Sequence, residues 1–419
     1  MKNLQFDNYR QVFGFKSFRF FWLGFTLSVL GDTMTRVALT WMVWELTGSA
    51  QALGWLAFAY TAPVLFGGLV AGWLLDRFGQ RKVIFVDSLL RGVVVAIIPL
   101  LNAWGQLALW HIYLVAAIYG SLFMIPLAGG PALVPTLVSK GHLSTANALE
   151  TLTFTLSGVI GPPVAGLLIA RITAANVLVL DVVSYFAFAL LLLGVRPLVE
   201  KAPQTQVAKQ SYRLGDAVHL LRKNNILLST TLMFMAANLG IGLMFVWLPI
   251  YSDQVLGGGS EMFGILLGFL AAGEVISAIL VGSLAISVSL GTLICMAQFL
   301  AGTSLGLMFL GRTNWITATS LVLFGIFSAP LTVWAQTLRM QIIPETLRGR
   351  TFALLRTLMQ STNPIGGIVA GTLLPVLGIP AMIALSGFVI GVPGLLGYRV
   401  KELRLGDDQQ KHLQSEPIV

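Results

Sequence analysis

Residues 72–82 read Gly72-Trp-Leu-Leu-Asp76-Arg77-Phe-Gly79-Gln-Arg81-Lys82, a short knot of charge between two long apolar runs, 53–75 and 83–102. Hydrocarbon about 30 Å thick needs about 20 helical residues to cross it, and both runs reach that length. The charged stretch has room only for a tight turn at the membrane surface. Gly79 suits a turn that needs positive φ, and Gly72 is expected to let a neighbouring helix come close. Asp76 can cap a helix start or pair with a basic side chain. Such a cluster can latch one conformation through ion pairs that break in another. The plain alternative is an ordinary basic loop, and the full spacing goes beyond what that requires.

Outward from this turn the same pattern recurs. Apolar stretches cover 19–46, 53–75, 83–102, 109–133, 145–170 and 176–195, and after a polar interval 226–251, 263–286, 290–310, 315–342, 351–376 and 380–398. The chain is 56% hydrophobic and 10% charged, with a mean hydropathy of +0.84, too few charges to cover a soluble protein of this size. Backbone groups in lipid must be satisfied internally, by helices or a closed barrel. The runs are continuous rather than alternating over about ten residues, so helices are expected. The 44 glycines and 17 prolines suit close helix approach and kinks in a membrane bundle. The expectation is an all-α membrane protein of twelve transmembrane helices in two pseudo-symmetric six-helix bundles. The first bundle is residues 1–196, the linker 197–225, the second bundle 226–400 and the tail 401–419. The single cysteine, Cys295, rules out an intrachain disulfide. Polar residues (Lys2, Asp7, Arg10, Lys16) precede the first run without a short cleavable-signal pattern, so the first span is expected to stay.

A net charge of +9 can mark nucleic-acid binding, but its distribution argues for topology. Lys and Arg gather in alternate connections: Arg10, Lys16 and Arg19; Arg77, Arg81 and Lys82; Lys140; Lys201, Lys209, Arg213, Arg222 and Lys223; Arg348 and Arg350; Arg399, Lys401, Arg404 and Lys411. The opposite connections hold little more than Arg171 and Arg312. By the positive-inside rule both termini and the central linker are expected in the cytoplasm. The partners implied are a lipid bilayer and no nucleic acid.

The two halves also echo one another. Gly54 and Gly72 match Gly264 and Gly282 at one constant offset, and Gly161-Pro-Pro-Val-Ala-Gly166 matches Gly366-Gly-Ile-Val-Ala-Gly371. Glycines at intervals are common in any membrane helix, but these fall in corresponding spans. Parallel repeats about an axis along the membrane normal are a known transporter plan, with the substrate site at their interface.

The turn at 72–82 resembles the signature G-x-x-x-D-R-x-G-x-R-K that follows the second helix in the major facilitator superfamily, with every signature position met. That resemblance implies secondary transport by alternating access, and a cytoplasmic gate formed by Gly72, Asp76, Arg77, Gly79, Arg81 and Lys82. The corresponding stretch of the second half, Gly282-Ser-Leu-Ala-Ile286-Ser287-Val-Ser289-Leu-Gly291, keeps the first glycine and has lost the charges. Further stretches are Phe18-Arg19-Phe20-Phe21-Trp22, Ser28-Val-Leu-Gly31-Asp32, Leu143-Ser-Thr-Ala-Asn147-Ala148-Leu149 and Gly158-Val-Ile-Gly161-Pro162-Pro163-Val-Ala-Gly166. Together they are similar to bacterial exporters of the macrolide-efflux and enterobactin-exporter type, which implies a drug:proton antiporter of the bacterial inner membrane. Gly158, Gly161, Pro162 and Gly166 resemble the fifth-helix antiporter motif, from which Pro163 and Ala165 depart. Lysophospholipid transporters share some of these features, and a lysophospholipid or nutrient transporter of the same fold is the alternative.

Charge inside a span is costly and marks a cavity, a partner or a pathway. Asp32 and Arg36 lie four apart, on one helical face. They read either as a coupling pair, Asp32 taking a proton or cationic substrate, or as a neutralised packing pair. Glu274 sits mid-span without a basic residue one turn away, either a proton-binding carboxyl or one bonded to a neighbouring helix. Asp181 and Glu150 are further coupling candidates nearer span ends, where water is expected. Arg356 can answer Glu150 or the gate, and Asp87 with Arg91 reads as a structural pair beside it.

Trp41, Phe123, Met124, Phe234, Asn238, Trp247, Trp334 and Gln336 are candidate cavity-lining groups for an amphipathic substrate. Each of them alone can equally be a packing or lipid-facing side chain. An enzyme is not expected: His111, His142, His219 and His412 form no metal-ligand spacing, and no nucleophile or phosphate-loop motif occurs. No cofactor or metal is implied. A channel is the remaining alternative, although two halves in one chain suit a monomeric carrier better than an oligomeric pore.

Overall fold

The turn at Gly79 has φ 84° and ψ 145°, a conformation costly for any residue with a Cβ, and one helix ends there as the next begins. The computed structural model describes residues 6–198, 214–283, 288–344 and 347–404. Lys201, Lys209, Arg213, Ile286, Ser287, Lys411 and His412 lie outside the described residues. Within those described, every element is helical. The first half runs α1 (Phe6–Gly14), α2 (Lys16–Thr47), α3 (Ala50–Thr61), α4 (Val64–Phe78), α5 (Gln80–Ala103), α6 (Leu109–Leu122), α7 (Met124–Leu133), α8 (Leu143–Ile172) and α9 (Ala174–Leu193). The second runs α10 (Leu214–Lys223), α11 (Asn225–Ile250), α12 (Gly259–Ser283), α13 (Leu290–Ser304), α14 (Asn314–Ile342), α15 (Arg348–Gln360), α16 (Thr362–Gly397) and α17 (Lys401–Arg404).

Among the described residues nine helices are long and apolar enough to cross a bilayer, or ten if the bent pair Ala50–Gly68 and Val70–Phe78 is one span. One of the nine, Thr351–Gly397, has 47 residues. At about 1.5 Å per residue that is roughly 70 Å, more than twice the hydrocarbon thickness. Gly378 (φ 77°) breaks it, with Pro380 two residues later. The 32-residue α2 is not among the nine; it carries Lys16, Arg19, Asp32, Arg36 and Glu45.

The chain divides into two compact units, one of Met1–Gly48, Ala59–Val207 and Gly258–Gly268, the other of Ser49–Phe58, Ala208–Gly257 and Phe269–Val419. Each half thus lends one short helical segment to the other half's unit. In the first unit α2 packs on α8 and α9, and α5 packs on α9. In the second, α11 and α13 both pack on α16, and α13 also meets α14. Phe18, Phe21, Phe25 and Phe188 form an aromatic core where α2 meets α9. The outer surface is apolar too, with Phe66, Trp73, Leu190, Trp315 and Val376 exposed, as suits side chains facing lipid rather than water.

Candidate functional site

Four charged side chains converge inside the first unit. Arg91 of α5 is only 1% exposed and spends its guanidinium edge on Asp32, Asp87, the Leu122 carbonyl and the Tyr185 hydroxyl. Its Nη1 donates to Asp32 Oδ1 at 3.1 Å, its Nε to Asp87 Oδ1 at 3.3 Å, and its Nη2 to the Leu122 carbonyl at 2.9 Å. That carbonyl is available because α6 stops there, and terminal carbonyls lack intrahelical donors. The rings of Tyr119 and Tyr185 lie 5.3 and 5.8 Å from the guanidinium carbon. Both hydroxyls donate to Asp32 Oδ1, Tyr119 at 2.5 Å. Asp32 and Asp87 therefore share one cation.

Asp181 of α9 completes the group without a cation among the described residues. Thr35 donates to its Oδ2 at 2.5 Å, and the Ser184 hydroxyl lies 3.0 Å from Asp181 Oδ1 and 2.8 Å from the Asp181 main-chain carbonyl oxygen. Ser184 has one hydroxyl proton for these two acceptors. A proton on Asp181 would satisfy the second contact, so this carboxyl can hold or release one while Arg91 stays fully bonded. Gly31 makes the approach possible, because a Cβ there would overlap the Asp181 carboxylate.

The structure rearranges several expected pairings. Asp32 is held by Arg91, not by Arg36, which is exposed. Arg36 points to the exposed face of α2, whereas Asp32 is on the buried face that meets Arg91 of α5. Asp87 and Arg91 are thereby part of the cluster rather than a separate pair beside the gate. Asp181 is 1% exposed, not wetted near a span end, because the α2 face carrying Gly31 and Thr35 covers it. Glu150 is likewise buried, close to Gly130 within the aromatic core around Phe25, and its Oε1 has no hydrogen-bond partner among the described residues. Glu274 is exposed, since the adjacent Gly273 is the residue pressed against Val322 of α14. Arg356 is exposed and forms no ion pair among the described residues.

In the charged turn, Arg81 donates from Nε to the Leu192 carbonyl at 3.0 Å and from Nη2 to that of Leu193 at 3.1 Å, capping α9. Arg77 lies over Trp73 and Phe78 at 5.3 and 5.6 Å. Asp76 and Lys82 are exposed, and Asp76 has no ion pair among the described residues. A Cβ on Gly72 would meet nothing within 4 Å, so among the described residues the expected close helix neighbour is absent there. The same holds for Gly158. By contrast a Cβ on Gly161 would overlap Thr33, and Gly166 and the Pro162 carbonyl abut Gly264. The sequence-matched Gly54 abuts Gly367 and Gly371 in the second unit. Matched glycines thus serve matched close approaches.

Of the cavity candidates, Trp41 donates to Glu45 at 2.6 Å and stacks on Phe263 at 6.5 Å. Met124 is buried with Phe123 packed beside it. Trp247 is a core residue, fully buried and donating to Ser386 at 3.0 Å, because its face of α11 meets α16. Asn238 donates to the Phe234 carbonyl at 2.9 Å, Trp334 is half-buried, and Gln336 is exposed.

The family model described as Major Facilitator Superfamily matches residues 21–367. The chain belongs to the major facilitator superfamily. It is 22% identical to the staphyloferrin A transporter of Staphylococcus aureus, over 94% of this chain and 99% of that protein. It is 26% identical to the multidrug efflux pump Tap of Mycobacterium tuberculosis over 90% and 92%, and 24% identical to macrolide efflux protein A of Streptococcus pyogenes over 91% and 95%. Among solved structures, a point mutant of the nucleoside transporter NupG superposes with a TM-score of 0.72 at 12% identity, covering 91% of this chain and 99% of that one. A D-xylose-proton symporter gives 0.67 at 14% identity, over 91% and 98%. These likenesses establish the fold of a superfamily transporter.

Two parts of this transporter's buried chemistry escaped the sequence reading. The tyrosines Tyr119 and Tyr185 carry no spacing that ties them to Asp32; only their place on facing helices does. Arg339 lies close to the end of an apolar run, where a basic residue looks like topology. The structure buries it.

Proposed function

We propose that this transporter exports a small amphipathic compound from the cytoplasm of a bacterium in exchange for protons, by alternating access between two six-helix halves. The observation that carries the reading is the cluster of Asp32, Asp87, Asp181 and Arg91. Three carboxyls and one guanidinium are buried in an apolar unit, a costly arrangement that is retained at sites of ion movement. Asp181 is the proton-exchanging carboxyl, and Asp32 passes its state to α5 through Arg91. The twelve-span topology is supported by α2, the bent pair and the break at Gly378. The alternate basic connections support cytoplasmic termini and an inner-membrane location. Arg81 and Gly79 fix the turn that would gate the cytoplasmic side. Efflux rests on relatives named as multidrug and macrolide efflux proteins. The carrier acts as a monomer and needs no cofactor.

The test uses purified protein in proteoliposomes with an imposed pH gradient and a fluorescent lipophilic drug. Uphill flux should follow the gradient and fall to the leak level in Asp181→Asn and Asp32→Asn, while substrate exchange without a gradient persists in Asp181→Asn. Flux indifferent to the gradient, or full coupling in both variants, would remove protons from the mechanism.

A further inference from the structure

Arg339 of α14 is 5% exposed, yet its Nε and Nη2 find no hydrogen-bond acceptor among the described residues. Arg91 in the other unit is bonded along its whole edge. Near Arg339 the helix end is already served, because Arg348 donates to the Ile343 and Met340 carbonyls. No described carboxylate forms an ion pair with Arg339. Its guanidinium lies 4.8 Å over the ring of Phe234, and half-buried Phe234 and Trp334 belong to the same apolar cluster. A guanidinium with its face on an aromatic ring keeps its edge donors in one plane, the geometry that grips a carboxylate or phosphate bidentately. Burying that cation without an acceptor costs free energy that a bound anion would recover.

We propose that Arg339, backed by Phe234, is an anion site that takes one carboxylate or phosphate-type group on a molecule with an apolar body. This rests on the transport reading only for calling that molecule a substrate; anion binding itself is independent of proton coupling and of flux.

Purified protein in nanodiscs of phosphatidylcholine tests this by thermal unfolding with dodecanoate, with dodecyltrimethylammonium, and with phosphatidylglycerol added to the disc. Dodecanoate should raise the wild-type Tm, and its apparent Kd should weaken about tenfold to a hundredfold in Arg339→Met and less in Arg339→Lys. The cation with the same tail should give no Arg339-dependent shift. Without ligand, Arg339→Met should unfold at the same temperature as wild type or higher, since it removes an unsatisfied charge. A sharp loss of stability there would show that the protein itself satisfies Arg339 and would overturn the site. Equal dodecanoate affinity in Arg339→Met would overturn it too. Arg339-dependent protection by phosphatidylglycerol that also blocks dodecanoate would keep the anion site, assign it to a lipid headgroup and overturn the substrate role.

Discussion

Replacing Arg91 by Met should be the most destabilising single change in the buried cluster. The substitution keeps an apolar stem of similar length and removes three donors at once, those to Asp32, Asp87 and the Leu122 carbonyl. Removing one partner of a buried ion pair costs about 3–5 kcal/mol, because the charge left behind is uncompensated. Losing the Leu122 bond leaves a buried carbonyl short of a donor, about 1 kcal/mol more. Uptake of protons by the abandoned carboxylates limits the total, so about 3–5 kcal/mol is the expected loss. Asp32→Asn is milder, about 1–3 kcal/mol, since Arg91 keeps Asp87 and Leu122. The double variant should show a coupling energy of about 1–3 kcal/mol. Arg91→Lys should fall between, because one ammonium cannot reach along the guanidinium's fork to both carboxylates. Equilibrium unfolding in mixed micelles, followed by tryptophan emission, measures all four. A cost below about 1 kcal/mol for Arg91→Met, or additive single changes, would mean that Arg91 does not hold the two carboxylates together.

Two other outcomes follow from particular contacts. Gly31→Ala places a methyl group against the Asp181 carboxylate, so it should cost about 1–3 kcal/mol by forcing α2 away from α9; an unchanged unfolding midpoint would contradict that packing. Beyond the last membrane-spanning helix, Glu402 accepts a hydrogen bond from the Asn225 side chain at 2.8 Å, and this bond holds the Glu402 carboxyl below its usual range. The folded-state value being depressed, its stabilisation is present above the ordinary glutamate range near about 4.3 and is lost as pH falls through the lower folded value. Hydrogen-exchange protection factors at residues 401–404 should therefore fall as pH drops below the ordinary glutamate range in the wild type and show no such step in Asn225→Ala; with Glu402 still partly open to solvent, the effect should stay below about 1 kcal/mol.

How far the site could be read from the sequence depends on the reach of each interaction. The turn at Gly79 was legible because positive φ is a property of one residue. Asp32, Asp181 and Glu150 drew attention because charge in an apolar run is conspicuous in one dimension. Their partners were not legible: Arg91 is four residues from Asp87, and that local spacing hid its bond to Asp32. Gly72 misled for the converse reason, since a glycine invites close approach without saying whether a neighbour arrives.

Hydrophobic run length, the alternation of basic connections and the signature turn belong to the chain by itself, because transfer into a bilayer acts on each segment through its own composition. They determined a helical transporter of the superfamily. Which carboxylate meets which cation, that Trp247 packs inward, and that Arg339 is enclosed with its Nε and Nη2 lacking an acceptor among the described residues were decided only by tertiary structure. Those outcomes turn on the rotation of one helix against the next, and a rotation of half a turn exchanges a buried ion pair for a lipid-facing charge without altering a single residue.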